Sequence, residues 1–168
     1  GGRWMSGTDD STVVRNAIDV DEYAFVGTRR ERTRRDLGVP EGTLVIGHVG
    51  RFMPQKNHAF ILDVFAEVLR LRPDAVLLLI GDGELRAVRE QQAADLGISD
   101  SVKFLGVRSD VPDLMQAMDV FLMPSLYEGL PLVLVEAQAA GLPCLISDSI
   151  RTDCDMDGSS ITRLSLGA

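Results

Sequence analysis

Residues 44–81 read "LVIGHVGRFMPQKNHAFILDVFAEVLRLRPDAVLLLIG", and this segment carries the pattern from which the architecture can be predicted. It opens with a short aliphatic run over 44–50, which predicts a buried strand. Apolar residues then recur at helical spacing, at positions 60, 61, 64, 65, 68 and 69, until Pro73 ends the helix. A second aliphatic run follows over 75–81. A strand, a helix and a strand in this order predict one βαβ unit of a parallel sheet.

The same alternation continues to residue 147. Three further strands are predicted over 101–106, 119–125 and 142–147, with helices over 83–97, 110–118 and 130–141 between them. Gly97 and Gly141 are expected to follow two helix ends, Asp110 to cap a helix, and Pro131 to occupy the first helical position. The tail 161–168 is a candidate for one more strand. We therefore expect an α/β fold, a Rossmann-like doubly wound parallel sheet.

Composition excludes several classes of protein. A chain of 168 residues with a net charge of −8 fits a single globular domain and argues against a nucleic-acid surface. The longest aliphatic runs are too short to cross a bilayer, and Cys144 and Cys154 match no zinc-type spacing. We expect a cytoplasmic protein that associates with a membrane peripherally at most.

An arginine-rich segment, "TRRERTRRDLG" at 28–38, allows two interpretations. It could contact an anionic membrane surface, or it could be a solvated helix face or linker. The second interpretation is favoured in so acidic a chain. Before it, residues 12–18 are predicted to form a short strand and turn.

Polar residues follow the predicted strands, where ligands bind in open α/β sheets. Arg51 comes directly after Gly50, and Lys56 lies just before a helix start, so the two cations could clamp a diphosphate. Their alternative role is to solvate a loop. The "GDGE" at 81–84 could provide a tight turn or a close approach of backbone to a ligand.

Two glutamates interrupt the apolar run "SLYEGLPLVLVEAQAAG" at 125–141. An unpaired buried carboxylate is costly, so Glu128 and Glu136 are candidates for one pocket at the start of this helix. Free N–H groups are expected there, on Gly129, Leu130 and Leu132. Such a pocket suits a ligand with phosphates and hydroxyls. The alternatives are a favourable interaction of Glu128 with the helix dipole and a partly exposed helix position for Glu136.

Other polar residues predict no chemistry. The "DCDMDG" at 153–158 matches the opening of an EF-hand loop, but Leu164 stands where the bidentate glutamate is needed, so no metal site is predicted. His48 and His58 have no partner residues at a useful spacing. Both are interpreted as structural histidines with satisfied hydrogen bonds.

Several motifs together resemble a known family. "VGRFMPQKN", "LLLIGDGE", "VKFLG" and "DVFLMPSLYEGLPLVLVEAQAAGLP" are similar, in order and spacing, to the C-terminal nucleotide-binding domain of the family 4 retaining GT-B glycosyltransferases. The match covers about residues 44–148. It includes the family's two glutamates with seven residues between them, at Glu128 and Glu136. The tail "ISDSIRTDCD" resembles members that build capsular polysaccharide or exopolysaccharide.

The resemblance implies roles for individual residues. Arg51 and Lys56 would bind the diphosphate of a nucleotide sugar, most often a UDP-sugar, beside Gly50, and Glu128 would orient the transferred sugar. These three charged residues are the catalytic candidates. Glu136 would bind the ribose, while the other donor-binding candidates are Gly129, Leu130 and Leu132 near the sugar and phosphate, and Phe104, Leu105, Gly106 and Val107 along the base. Neither a metal nor another cofactor is expected.

The resemblance also implies a domain organisation. Residues 1–11 would end an interdomain linker and 12–168 would form the nucleotide-sugar-binding domain. An N-terminal domain that binds a glycan or lipid-linked acceptor and a closing helix would lie elsewhere, and this piece alone would be inactive. Three alternatives stay open: a GT-B-type epimerase, a non-catalytic sugar-nucleotide sensor, and a dinucleotide-dependent oxidoreductase. The last is disfavoured because no G-x-G-x-x-G opens the first βα unit.

Overall fold

The computed structural model describes residues 18–156 and 158–166. Six strands are found in this part of the chain: β1 Val45–Val49, β2 Val76–Ile80, β3 Val102–Gly106, β4 Val120–Met123, β5 Cys144–Ser147 and β6 Ile161–Leu164. Six α-helices accompany them: α1 Val20–Tyr23, α2 Gly27–Asp36, α3 His58–Leu71, α4 Arg86–Asp95, α5 Val111–Ala117 and α6 Leu132–Ala139. The strand and turn predicted over 12–18 lie outside the described residues, apart from Ile18.

The strands form one sheet in the order β3-β2-β1-β4-β5-β6, with every neighbouring pair parallel. The predicted doubly wound sheet is therefore confirmed, and the tail adds its sixth strand. The chain runs outward from β1 to β3 and then returns to place β4 on the other side of β1. Because the winding reverses there, the carboxyl ends of β1 and β4 form a topological switch point, where open α/β sheets bind ligands.

Two apolar layers cover the two faces of the sheet. Successive strand residues point to opposite faces, so Leu78 and Ile80 belong to one layer and Leu77 and Leu79 to the other. The first layer includes buried residues of α5 and α6, and the second includes buried residues of α3 and α4. Three methionines are buried in the first layer, at positions 115, 118 and 123.

Most helix ends follow the prediction, with two corrections. Gly97 and Gly141 have φ angles of +70° and +73° after α4 and α6, which glycine adopts without strain. Pro131 is the N-cap of α6 and not its first helical residue, because its ψ of 91° is still extended. Asp110 is the N-cap residue of α5, as predicted, but its carboxylate makes no capping hydrogen bond and accepts instead from Arg108 Nε at 2.7 Å.

The arginine-rich segment forms α2, which packs on α5. Arg29 lies 2.6 Å from Asp113, and Arg34 lies 2.6 Å from Asp119. Arg32 and Arg30 also pair with these two carboxylates. Asp119 accepts a further hydrogen bond from Val45 N at 2.8 Å, which ties α2 to the start of β1. The interpretation as a helix face is thus confirmed for exposed Arg32. Arg29, Arg30 and Arg34 are only partly exposed and dock the helix through ion pairs between distant parts of the chain, which neither sequence interpretation predicted.

Candidate functional site

The loops at the carboxyl edge of the sheet are joined to one another by their main chains. Each of the following N–H groups donates to a carbonyl of a neighbouring strand end or loop: Gly50 to Ile80 at 2.9 Å, Phe52 to Asp82 at 3.0 Å, Gly81 to Gly106 at 2.8 Å, and Leu126 to Gln55 at 2.9 Å. These bonds link the segments after β1, β2, β3 and β4. The candidate residues therefore lie on one connected platform.

The glycines of "GDGE" make this connection possible. A Cβ on Gly81, whose φ is +135°, would lie 2.2 Å from the carbonyl oxygen of Gly50. A Cβ on Gly83 would lie 2.6 Å from the carbonyl oxygen of Phe52. Of the two explanations left open by the sequence, close backbone approach fits the observation, but the partner is the loop after β1 and not a ligand.

Lys56 and Glu128 form an ion pair across the switch point. Lys56 Nζ lies 2.6 Å from Glu128 Oε1, and the two side chains are only 16% and 7% exposed. Lys56 ends the 3₁₀ turn Pro54–Lys56 after β1, and Glu128 lies in the loop after β4. A carboxylate this buried is tolerated because it is paired. The sequence prediction that both side chains face one edge of the sheet agrees with this contact.

Arg51 is exposed and lies in the same loop after β1 as Lys56. Within the described part of the chain, its guanidinium makes no hydrogen bond or ion pair, so it can meet an anion without breaking another contact. Gly50 lies immediately before it. A Cβ on Gly50 would lie 2.8 Å from His48 Nε2 and 3.3 Å from Lys56 Cδ, which explains why glycine packs there.

The loop before α6 presents donors to solvent. Gly129 and Leu130 are exposed and Leu132 is half-buried at the helix start. Among the described residues, their N–H groups donate to no protein acceptor. Pro131, the N-cap, has no N–H to offer. The free donors expected from the sequence are present around the Glu128 loop.

Glu136 has different neighbours from Glu128. It lies half-buried on α6, where burial raises the pKa of its carboxyl, interaction with Tyr23 lowers it, and the charge of Glu22 raises it. Burial and the Glu136 charge raise the pKa of Tyr23 to about 12, so its hydroxyl stays protonated. No hydrogen bond or ion pair joins Glu136 to Arg51, Lys56 or Glu128 within residues 18–156 and 158–166. The two glutamates are thus in separate surroundings.

The segment 104–107 ends β3 at the same edge. Phe104 and Leu105 are half-buried, whereas Val107 is 80% exposed. The Phe104 ring lies 6.0 Å from that of Phe52 in the loop after β1. Gly106 has a φ of +68° and allows the chain to turn away from the sheet. In the sheet, β3 lies two strands away from β1. The loop after β2 connects this apolar corner to the loop that carries Arg51.

His48 on β1 and His58 at the start of α3 are buried, and their ring centroids lie 4.8 Å apart. His48 Nδ1 lies 2.8 Å from Leu122 O and must carry the proton, because a carbonyl can only accept. His48 Nε2 and both ring nitrogens of His58 find no partner among the described residues, so the prediction of satisfied histidines is wrong in that respect. Desolvation by burial lowers the pKa of His48 to about 4 and that of His58 to about 3. Both rings are neutral near pH 7.

Acidification should destabilise the chain through these two histidines. Their pKa values in the folded chain are below the ordinary 6.5. Between about pH 4 and 6.5 the unfolded chain therefore binds more protons than the folded chain does, and stability is lost as the pH falls through that window. We expect each histidine to contribute a loss of up to about 1.4 kcal/mol per pH unit. Urea unfolding at pH 7.0, 5.5 and 4.8 measures this, with His58→Phe as the control. An unchanged slope in that variant would contradict the assignment.

Two residues that sequence reasoning missed hold the Lys56–Glu128 pair in place. Gln55 Nε2 donates to Tyr127 O at 2.8 Å and to Glu128 Oε2 at 3.2 Å. Asn57 has a φ of 55° and its amide donates to Pro124 O at 3.3 Å. Asparagine tolerates this left-handed conformation better than most residues, so its presence just before a predicted helix was the one sequence signal for a special turn at position 57. Gln55 carried no comparable signal.

Among residues 18–156 and 158–166, no three His, Cys, Asp or Glu side chains cluster as metal ligands would. No helix in this described part is long and apolar enough to span a membrane. A groove of about 1150 Å³ lies at the opposite edge of the sheet, between α2 and the 38–44 loop, far from the switch point.

Comparison with known families decides the classification of the chain. The family model described as "Glycosyl transferases group 1" matches residues 29–156. The chain belongs to this family. The matched segment of this group 1 glycosyl transferase includes most of α2 and the whole carboxyl edge described above.

Two bacterial proteins illustrate which relatives this group 1 chain has and how much of their length it covers. It is 45% identical to EpsF of Bacillus subtilis (strain 168) over 151 residues, which are 90% of this chain and 39% of that protein. It is 34% identical to the UDP-Gal:alpha-D-GlcNAc-diphosphoundecaprenol alpha-1,3-galactosyltransferase of Escherichia coli over 146 residues, 85% of this chain and 38% of that enzyme. The chain thus spans about two-fifths of the length of these relatives.

A solved structure with the same fold is that of Anabaena Alr3699/HepE in complex with UDP-glucose. The TM-score is 0.77 and the sequence identity 31%, over 90% of this chain and 43% of that one. The predicted Rossmann-like fold of GT-B glycosyltransferases is confirmed by this match. The group 1 chain corresponds to one part of such an enzyme.

Proposed function

We propose that this chain is the donor-binding domain of a retaining glycosyltransferase that uses a nucleoside-diphosphate sugar, with UDP as the nucleotide. The observation that carries the proposal is the Lys56–Glu128 pair at the switch point, with exposed Arg51 on the same loop as Lys56. One cation is already held next to a carboxylate that can bind hydroxyls, and a second cation is free for phosphate. The HepE complex with UDP-glucose supports this choice of donor.

The diphosphate is assigned to Arg51 and Lys56. Transfer breaks the bond between the anomeric carbon and a phosphate oxygen, and the bonding electrons leave with the diphosphate. Two cations near that oxygen stabilise the charge as it develops, which is electrostatic catalysis. N–H groups of Gly129, Leu130 and Leu132 add partial positive charge at the start of α6.

The hydroxyl groups are assigned to the two glutamates. Glu128, next to Lys56, accepts hydrogen bonds from the transferred sugar, while Glu136 on α6 accepts them from the ribose. Tyr23 lowers the pKa of the Glu136 carboxyl, and its own hydroxyl stays protonated. The uracil is assigned to the corner formed by Phe104, Leu105, Gly106 and Val107, with Gly50 closing the turn beneath the phosphates.

The rest of the enzyme is proposed to complete the reaction. The donor edge is an open surface here, and a second domain would form the opposing wall and bind a glycan or lipid-linked acceptor. The named substrate of the E. coli relative, a diphosphoundecaprenol-linked sugar, supports an acceptor of this class. Transfer is proposed to retain the anomeric configuration and to need no metal.

Titration of this chain with UDP tests the donor site. In an NMR experiment without divalent metal, we expect signals of Arg51, Lys56 and Glu136 to shift at millimolar UDP or below, because these side chains are assigned to the phosphates and ribose. An Arg72→Ala variant, altered at the opposite edge, should bind UDP as the wild type does. No shifts at millimolar UDP, or shifts that require metal, would refute the proposal.

An epimerase and a sensor remain the alternative proposals. An epimerase would need acid and base groups at the donor edge, but His48 and His58 are buried and carry lowered pKa values. A sensor would bind the donor without transferring it. In the full-length protein, Glu128→Ala should reduce sugar transfer far more than UDP affinity; an equal loss of both would favour the sensor.

A further inference from the structure

Gln55 connects the two catalytic candidates of the switch point. It is the middle residue of the turn Pro54–Lys56, so its neighbour in the chain is Lys56. Its amide nitrogen donates to Tyr127 O at 2.8 Å and to Glu128 Oε2 at 3.2 Å. Its carbonyl accepts from Leu126 N at 2.9 Å. The residue is therefore bonded to the loop after β4 through both its main chain and its side chain.

The two oxygens of Glu128 have different donors. Oε1 accepts from Lys56 Nζ at 2.6 Å, and Oε2 accepts from Gln55 Nε2 at 3.2 Å. The side chain is 7% exposed, so water cannot replace either donor readily. One donor on each oxygen fixes the plane of the carboxylate as well as its position.

A nucleotide sugar would compete for only one of these donors. The diphosphate attracts Lys56, which is charged, and the neutral amide of Gln55 has no such attraction. Once Lys56 turns to the phosphate, Oε1 is free to accept a sugar hydroxyl. Gln55 would still hold Oε2 and prevent the carboxylate from rotating.

We propose that Gln55 is a positioning residue that orients Glu128 toward the sugar of the donor. The inference rests on the proposed function and adds a residue to it. The main-chain bond between Gln55 and Leu126 N survives any change of side chain and keeps the two loops joined. The amide bonds both Tyr127 O and Glu128 Oε2, so a test of its role must compare sugar-nucleotide affinity with UDP affinity.

The experiment uses the full-length protein and two variants, Gln55→Met and Gln55→Glu, whose new side chains are about as long as that of glutamine. The probes are UDP, UDP-glucose, UDP-galactose and UDP-N-acetylglucosamine, and calorimetry gives the ratio of sugar-nucleotide affinity to UDP affinity. Methionine cannot donate a hydrogen bond, so we expect Gln55→Met to lower this ratio about tenfold for the preferred sugar while UDP affinity stays within about threefold.

The pH dependence of Gln55→Glu separates positioning from a structural effect. The carboxyl introduced at position 55 faces the Glu128 carboxylate, which favours its protonated form, and the protonated form restores a donor to Glu128 Oε2. The charged groups at this position are Lys56, next to it in the chain, and Glu128, which it contacts; Arg51 is on the same loop, and His48 and His58 stay neutral above pH 5.5. We expect a ratio near that of the wild type at pH 5.5 and a loss of about tenfold at pH 8.

Each result has one meaning. If the wild type binds none of the four probes, the proposed function fails and this inference fails with it. If the wild type binds and both variants keep its ratio at both pH values, only the positioning role is refuted. Equal loss of UDP and sugar-nucleotide affinity in Gln55→Met, or a pH-independent loss in Gln55→Glu, would identify Gln55 as a structural loop residue and also refute the inference.

Discussion

Gly81→Ala is expected to reduce the free energy of unfolding of this chain by about 3 kcal/mol or more. The added Cβ would lie 2.2 Å from the carbonyl oxygen of Gly50, and neither main chain can withdraw without breaking its own hydrogen bonds. The φ of +135° adds backbone strain, because residues with a side chain rarely adopt it. Urea unfolding of the variant and the wild type measures the difference.

The matched control is Gly97→Ala. Gly97 also has a positive φ, +70°, but no atom lies within 4 Å of the position its Cβ would take. The Gly97→Ala substitution should therefore reduce the free energy of unfolding only by the backbone strain, about 1–2 kcal/mol. Equal losses in the two variants would show that the contact with Gly50 does not constrain the loop. A greater loss of UDP affinity in Gly81→Ala than in Gly97→Ala would place the effect at the loop that carries Arg51.

Lys56→Met in the full-length protein is expected to lower kcat/KM for sugar transfer by about 10²–10³, or about 2.7–4 kcal/mol. The cation would be lost at the point where the diphosphate takes up charge. The same variant should also lose stability, because Glu128 would remain 7% exposed without its partner. Such a loss is about 3–5 kcal/mol for a fully buried pair, and we expect the lower end of that range.

A double variant separates the two effects of Lys56. Lys56→Met combined with Glu128→Gln removes both charges, and an amide at position 128 can still accept from Gln55. We expect the double variant to regain most of the lost stability, since a neutral replacement of a buried pair is often close to neutral in free energy. Its transfer activity should stay low. Recovery of activity together with stability would contradict a catalytic role for Lys56.

The fold was predictable because its pattern is local. Each strand of the inner sheet is a short aliphatic run, and α3 has apolar residues at helical spacing, so the periodicity alone distinguishes them. The parallel arrangement follows from the alternation of these elements. The edge where ligands bind then follows from topology, which is why Arg51, Lys56 and Glu128 could be assigned to one edge of the sheet.

The contacts within the site were less predictable because they join distant residues. Gln55 and Glu128 are 73 positions apart, and nothing in the sequence around Gln55 indicates this contact. Arg34 and Asp119 are 85 positions apart, so the docking of α2 could not be inferred from a local run of arginines. Tyr23 reaches Glu136 from a four-residue helix, α1, that has no strong periodic pattern.

The loops at the carboxyl edge are joined by main-chain groups, which every residue type except proline carries in full. Side chains on the rim of this platform, such as Val107, Leu126, Tyr127 and Leu130, are exposed and take no part in those bonds. Exchanging them therefore changes what the surface recognises while the scaffold beneath keeps its shape. A protein built in this way can acquire a new ligand preference through rim substitutions alone, without first repairing its fold.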